Sequence, residues 1–177
     1  PYTGDDTECV RKNQEALRAA LPAYPQELII PFQTHSTDSL VIDETYQHAT
    51  CSERHSMLQG IDALITDMPG YCICISTADC IPILLYDKQH RVVAAVHAGW
   101  RGTVNRILAK TLHRMQSAYG TEGKDIIACI QLSDFGVPPR QIENAGICTY
   151  EQHEDFFSAR RLGIKSGRIL SGIMINQ

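Results

Sequence analysis

Between residues 61 and 96 four apolar runs follow one another with only short breaks: 61–65, 71–76, 81–86 and 91–96. Runs of five or six residues rich in Val and Ile have the length of strands, not helices. Met68-Pro69-Gly70 supplies one turn and Asp87-Lys88-Gln89-His90 a hairpin-like one. A chain crowded with short strands and tight links predicts an α+β fold with mixed sheets, not a regular βαβ array. Pro82, inside the third run, predicts an edge position or a bulge there.

The flanking segments complete one domain over residues 1–177, without internal repeats. A helix is expected over 6–21, with Val10, Leu17 and Leu21 on one face and Pro22 beyond its end. Strands are expected at 28–30 and 40–42, with QTHS (33–36) between them, and the polar ATCSERHSMLQG reads as a loop. The clearest helical pattern is Val104, Ile107, Leu108, Thr111, Leu112, Met115 and Tyr119, with Gly120 as the stop and Thr103 as the cap. Further strands are expected at 126–130, 142–148 and 169–175.

Composition excludes several classes. With 44% hydrophobic and 20% charged residues and a net charge of -4, nothing suggests a surface for nucleic acid or an anionic membrane. No signal peptide or bilayer-length apolar run is present, so the expected location is cytoplasmic. The seven cysteines include no CxxC, and Cys72 and Cys74 fall on one face of a strand. Reduced core thiols fit this pattern better than a zinc ribbon or a disulfide scaffold.

Three polar side chains stand where apolar runs end: His35 in QTHS, Cys80 in TADC and His97 in VAAVHAGWRGT. Strand ends at one edge of a sheet converge in space. Two imidazoles and a thiolate would make a catalytic zinc site with water in the fourth position. The same atoms serve two other chemistries, a cysteine amidase with Cys80 as nucleophile and His97 or His35 as base, and a copper site. Asp62 and Asp79 would orient an imidazole, act as acid or base, or cap a turn. Trp100 offers a stacking face, and Arg101, Arg160 and Arg161 offer phosphate contacts, as does the helix start after Gly102. His48, His55, His90, His113 and His153 read as solvated.

GIDALITDMPG, TADCIPILLYD, AAVHAGWRGT and CTYEQHEDFFSARR, in this order, resemble the laccase-domain family, also called multicopper polyphenol oxidoreductases. QTHS is similar to its Gln-x-His segment. The resemblance implies mixed sheets sandwiched between helices and metal ligands at His35, Cys80 and His97, with zinc as the metal or copper in its place. It implies phosphorolysis of adenosine, inosine, guanosine and methylthioadenosine, with adenosine deamination. Asp79, Trp100, Arg101, Arg160 and Arg161 would then contact nucleoside or phosphate. Some members are linked instead to editing peptidoglycan precursors. Two departures stand out: the chain opens at PYTGDD, where the family has an upstream segment, and DIIACIQLSDFGVPPR reads as a junction with residues missing between Ile130 and Gln131. The sequence sets no oligomeric state.

Overall fold

The protein is seen here as a computed structural model, which describes residues 6–129, 142–143, 151–163 and 165–176. The expected Ile130–Gln131 junction lies outside them, as do residues 144–148 of the strand expected at 142–148. The described elements are six α-helices and nine strands in an α+β arrangement. The large sheet has the order β2 (Ser39–Val41), β3 (Ala63–Thr66), β6 (Val92–Ala98), β5 (Ile81–Asp87), β7 (Ile126–Cys129), β8 (Ile142–Glu143). The small sheet has the order β1 (Glu27–Ile29), β4 (Tyr71–Thr77), β9 (Ile169–Ile173). Both are mixed: β1–β4, β2–β3 and β7–β8 run parallel, and the remaining pairs antiparallel.

The alternation of strand side chains divides the core in two. Ala63, Ile65, Leu85, Ala94 and Val96 form one cluster with Ile107 and Met115 of α5 (Ile107–Tyr119), so this helix covers one face of the large sheet. Leu64, Val93 and Ala95 point the other way, onto Ile29, Ile73 and Ile75 of the small sheet. The two sheets therefore stack across an apolar layer. β3 and β6 are buried on both faces, which is why their sequences show no polar alternation.

Several expectations need correction. Pro82 is not on an edge strand, because β5 lies between β6 and β7. Among the described residues, however, β7 pairs only with Leu84–Asp87, so at Pro82 the strand has one partner and the missing N–H is tolerated. The polar stretch before β3 contains α3 (Cys51–Met57), preceded by α2 (Glu44–His48). Thr50 and Glu53 close a reciprocal capping box on α3. The long helical pattern is two helices: α4 (Trp100–Val104) starts from Gly99 without a side-chain cap, so Thr103 does not cap it. The chain then breaks at Arg106, in the left-handed region with φ 60°, before α5 begins. Val104, expected on the apolar face, is exposed. His90 is not simply solvated: its Nδ1 lies 2.8 Å from the buried Asp87 carboxylate in the β5–β6 turn. The helix expected over 6–21 is α1 (Thr7–Ala20), and Asp6 caps it.

Candidate metal centre

The chain passes from the small sheet to the large one twice at the same end of the molecule. The first crossover, β1 to β2, carries His35, and the second, β4 to β5, carries Cys80. His97 arrives there from a third direction, one residue before the end of β6, with Pro82 as its pairing partner. One nitrogen from each imidazole and the Cys80 sulfur all lie within 4.8 Å of one another. His35 Nε2 is 3.8 Å from Cys80 Sγ, and the two rings meet edge to face at 4.9 Å between centroids. His97 forms the buried floor, Cys80 is half-buried and His35 is exposed. The group is therefore open to solvent on one side.

The organiser of this group is Asp62, 0% exposed, immediately before β3. Its Oδ1 accepts the His35 backbone N–H at 3.1 Å and faces His97 Nδ1 at 2.7 Å. Its Oδ2 accepts the backbone N–H groups of Thr34 at 3.1 Å and Ser36 at 2.7 Å. One carboxylate thus wraps the QTHS loop and fixes the His97 ring, the backbone of which also donates to Asp62 O at 2.8 Å. This loop needs such support, because His35 sits at φ 61°, in the left-handed region. Gln33 adds a second anchor, its amide pairing with both backbone groups of Ser76 at 2.8 and 2.9 Å. Lys110 Nζ on α5 adds a third at Thr37 Oγ1, 2.7 Å away.

Charge follows from these contacts. Burial favours the neutral form of His97, but the Asp62 carboxylate and Cys80 outweigh it and raise the pKa to about 9. His35 is shifted down by partial burial and by the His97 charge. Burial pushes the Asp62 carboxyl up, yet the His97 and backbone donors hold it below the ordinary carboxylate value.

The donor set suits a metal ion. Two imidazoles and one thiol at these separations, with Asp62 holding His97 Nδ1, leave His97 Nε2 and His35 Nε2 to face Cys80 Sγ. Such a group could hold a metal ion through three protein donors and leave a position open. Gly99 matters for the fit. A Cβ there would lie 2.8 Å from His35 Cδ2 and 3.2 Å from Cys80 Sγ, so any larger residue would push the His35 ring away from its place beside Cys80.

The remaining predicted residues lie around this opening in different states. Trp100 is 71% exposed, with the Arg101 guanidinium 5.3 Å over its ring. Arg101 is close enough for its charge to act on His35. Both carboxylate oxygens of Asp79 accept hydrogen bonds, from the Ser158 hydroxyl and the Arg160 backbone N–H. Arg160 and Arg161 lie on the one-turn α6 (Ala159–Leu162), both exposed. Sequence reasoning did not single out Gly99, Gln33, Lys110 or Ser158. HAGWRG was suggestive for Gly99, but its role depends on the approach of His35 from a distant loop.

Residues 1–131 and 127–176 match a family model described as multi-copper polyphenol oxidoreductase laccase. The chain belongs to this family. Along 226 aligned residues it is 46% identical to a protein of Bacteroides thetaiotaomicron called purine nucleoside phosphorylase, covering 100% of this chain and 84% of that relative. It is 34% identical to a protein of an unknown prokaryotic organism called adenosine deaminase RL5, over 97% of this chain and 84% of the relative. Two solved structures share the fold with TM-scores of 0.87. They are Bacillus licheniformis hypothetical protein YfiH (24% identity, 98% of this chain, 84% of that one) and YlmD from Geobacillus stearothermophilus (23%, 99% and 83%). The family expected from TADC and HAGWRG is thus confirmed.

Proposed function

We propose that this protein is a zinc-dependent purine nucleoside phosphorylase, acting on adenosine, inosine, guanosine and methylthioadenosine, with adenosine deaminase activity. The observation that carries the reading is the convergence of His35, Cys80 and His97 to within 4.8 Å at a solvent-open edge. The names of two relatives, similar along nearly the whole chain, support the reaction class.

His35, Cys80 and His97 would hold the ion, zinc in first place and copper as the substitute. When bound, it supplies a Lewis acid and acidifies water for deamination. The protein's own residues do the rest. Asp62 keeps a proton on His97 Nδ1 and so presents Nε2 as a donor. The exposed Trp100 ring gives a planar base a face on which to stack, beside the donors. In phosphorolysis a phosphate oxygen bonds to the sugar C1′ while the glycosidic bond breaks and its electron pair leaves with the base, which then takes up a proton. Arg101, Arg160 and Arg161 would contact that phosphate. Gly102 lies inside the five-residue α4, which starts at Trp100, so the helix start expected directly after Gly102 is not there. We place the protein in the cytoplasm, as its described cysteines are all free thiols. No helix among the described residues is long and apolar enough to cross a membrane.

The test is adenosine with the zinc-loaded protein, with and without phosphate. Adenine formed only with phosphate, and inosine in both samples, are expected; unchanged adenosine throughout would refute the proposal. A second reading rests on the 3.8 Å Cys80–His35 contact, a thiol–imidazole pair of the kind an amidase uses on a peptidoglycan precursor. Activity that survives complete removal of metal would favour it.

A further inference from the structure

Asp79 directly precedes Cys80 and adopts φ 82°, a left-handed conformation that Asp and Asn accept more readily than other side chains. Its carboxylate is held by a segment 79 positions further on: Ser158 Oγ–H donates to Oδ1 at 2.5 Å. The Arg160 backbone N–H donates to Oδ2 at 2.9 Å, and Arg160 Nε lies 3.8 Å from the same oxygen. Ser158 is fully buried, and its hydroxyl also accepts the Arg161 N–H at 3.2 Å. A single hydroxyl therefore caps α6 and clamps the loop that presents the Cys80 thiol.

We propose that Asp79 is a positioning residue that docks α6 on the Cys80 loop, so that the thiol donor and Arg160–Arg161 take their places together. Two parts of the site, one for metal and one for anion, are thereby joined through the Asp79–Ser158 contact. Cutting the contact from either end has the same consequence: Cys80 loses its fixed approach to the two imidazoles, and α6 its seat. The inference rests on Cys80 being a metal donor, as proposed above, and not on the reaction.

The test uses Asp79→Asn, Ser158→Ala and the double variant. Asn tolerates the left-handed backbone and leaves one acceptor, but its NH2 faces the Arg160 N–H donor or the Ser158 hydroxyl. Ser158→Ala removes one oxygen and leaves Asp79 untouched, so it decides alone if Asp79→Asn does not fold. Cobalt(II) alone is titrated while the thiolate-to-cobalt absorption is followed, and trypsin cleavage after Arg160 and Arg161 is timed by mass spectrometry. Each single variant is expected to weaken cobalt binding about tenfold and to speed cleavage by a similar factor. The double variant is expected to lose less than the sum of the singles, because both break the shared Asp79–Ser158 contact while each also loses one contact of its own. Unchanged cobalt affinity and cleavage in the singles, or fully additive losses, would overturn the inference. A wild-type protein without a thiolate-to-cobalt band would instead refute the donor reading beneath it. A normal band with no nucleoside turnover would refute the proposed reaction alone.

Discussion

Asp62→Asn is the most informative substitution in the molecule, since it changes neither size nor shape. The carboxylate takes four N–H groups, two on each oxygen: His35 N and His97 Nδ1 on Oδ1, Thr34 N and Ser36 N on Oδ2. Asparagine has one acceptor oxygen, so in either orientation its NH2 confronts two donors. If the oxygen stays at Oδ1, the QTHS loop loses its hold. If the amide flips, His97 Nδ1 must give up its proton and become an acceptor, so the neutral ring keeps its proton on Nε2, where it blocks the electron pair a metal would use. Hydrogen bonds to a charged acceptor contribute about 1.5–3 kcal/mol each, so losing two costs roughly 3–6 kcal/mol. Relaxation of the exposed His35 loop brings the expected loss to the lower end. Against a total stability of about 5–15 kcal/mol, a shift of that size is unmistakable in urea unfolding at neutral pH. Zinc affinity, measured by competition with a chromogenic chelator, is expected to fall about 10–100-fold. A variant less than about 1 kcal/mol weaker, with zinc affinity unchanged, would refute Asp62 as the organiser of the site.

Other outcomes follow from the same geometry. Gly99→Ala places a methyl 2.8 Å from His35 Cδ2, and since Gly99 has φ -75° the backbone adds no strain of its own. The ring must retreat by about 0.8 Å to reach ordinary contact; zinc affinity should drop at least tenfold while the metal-free protein loses only about 1–3 kcal/mol, and equal affinity by chelator competition would contradict the packing argument. The pH dependence of metal binding carries a definite sign. His97 titrates near pH 9 in the metal-free protein, so at neutral pH it holds the proton that an incoming metal must expel from Nε2. Affinity should therefore rise with pH up to about 9, and calorimetry in buffers of different ionisation enthalpy should record proton release; binding without release would count against His97 as a ligand.

Strand content, the α5 stripe and the Gly120 stop were legible in the residues, because short apolar runs and 3.6-residue periodicity are local properties. The stretch that forms α3 reads as a loop because it is polar, although Thr50 and Glu53 stand at the spacing of a capping box. The α4–α5 break was not legible, since nothing local forces Arg106 into the left-handed region. Pro82 signals a missing backbone donor, and among the described residues it pairs on one side only although β5 is an inner strand, an arrangement that only the sheet order reveals.

The sequence alone singled out the three candidate donors. Histidine, cysteine and histidine at the ends of apolar runs are chemically conspicuous wherever the chain goes. Their convergence was decided by the tertiary structure, because β1 and β4 belong to one sheet while β2 and β5 belong to the other. Both crossovers are thereby brought to the end where β6 delivers His97. The work of Asp62 and Asp79 likewise depends on backbone groups and side chains drawn from distant segments. A carboxylate shows its charge in the sequence, but its hydrogen-bond partners exist only once the chain has folded.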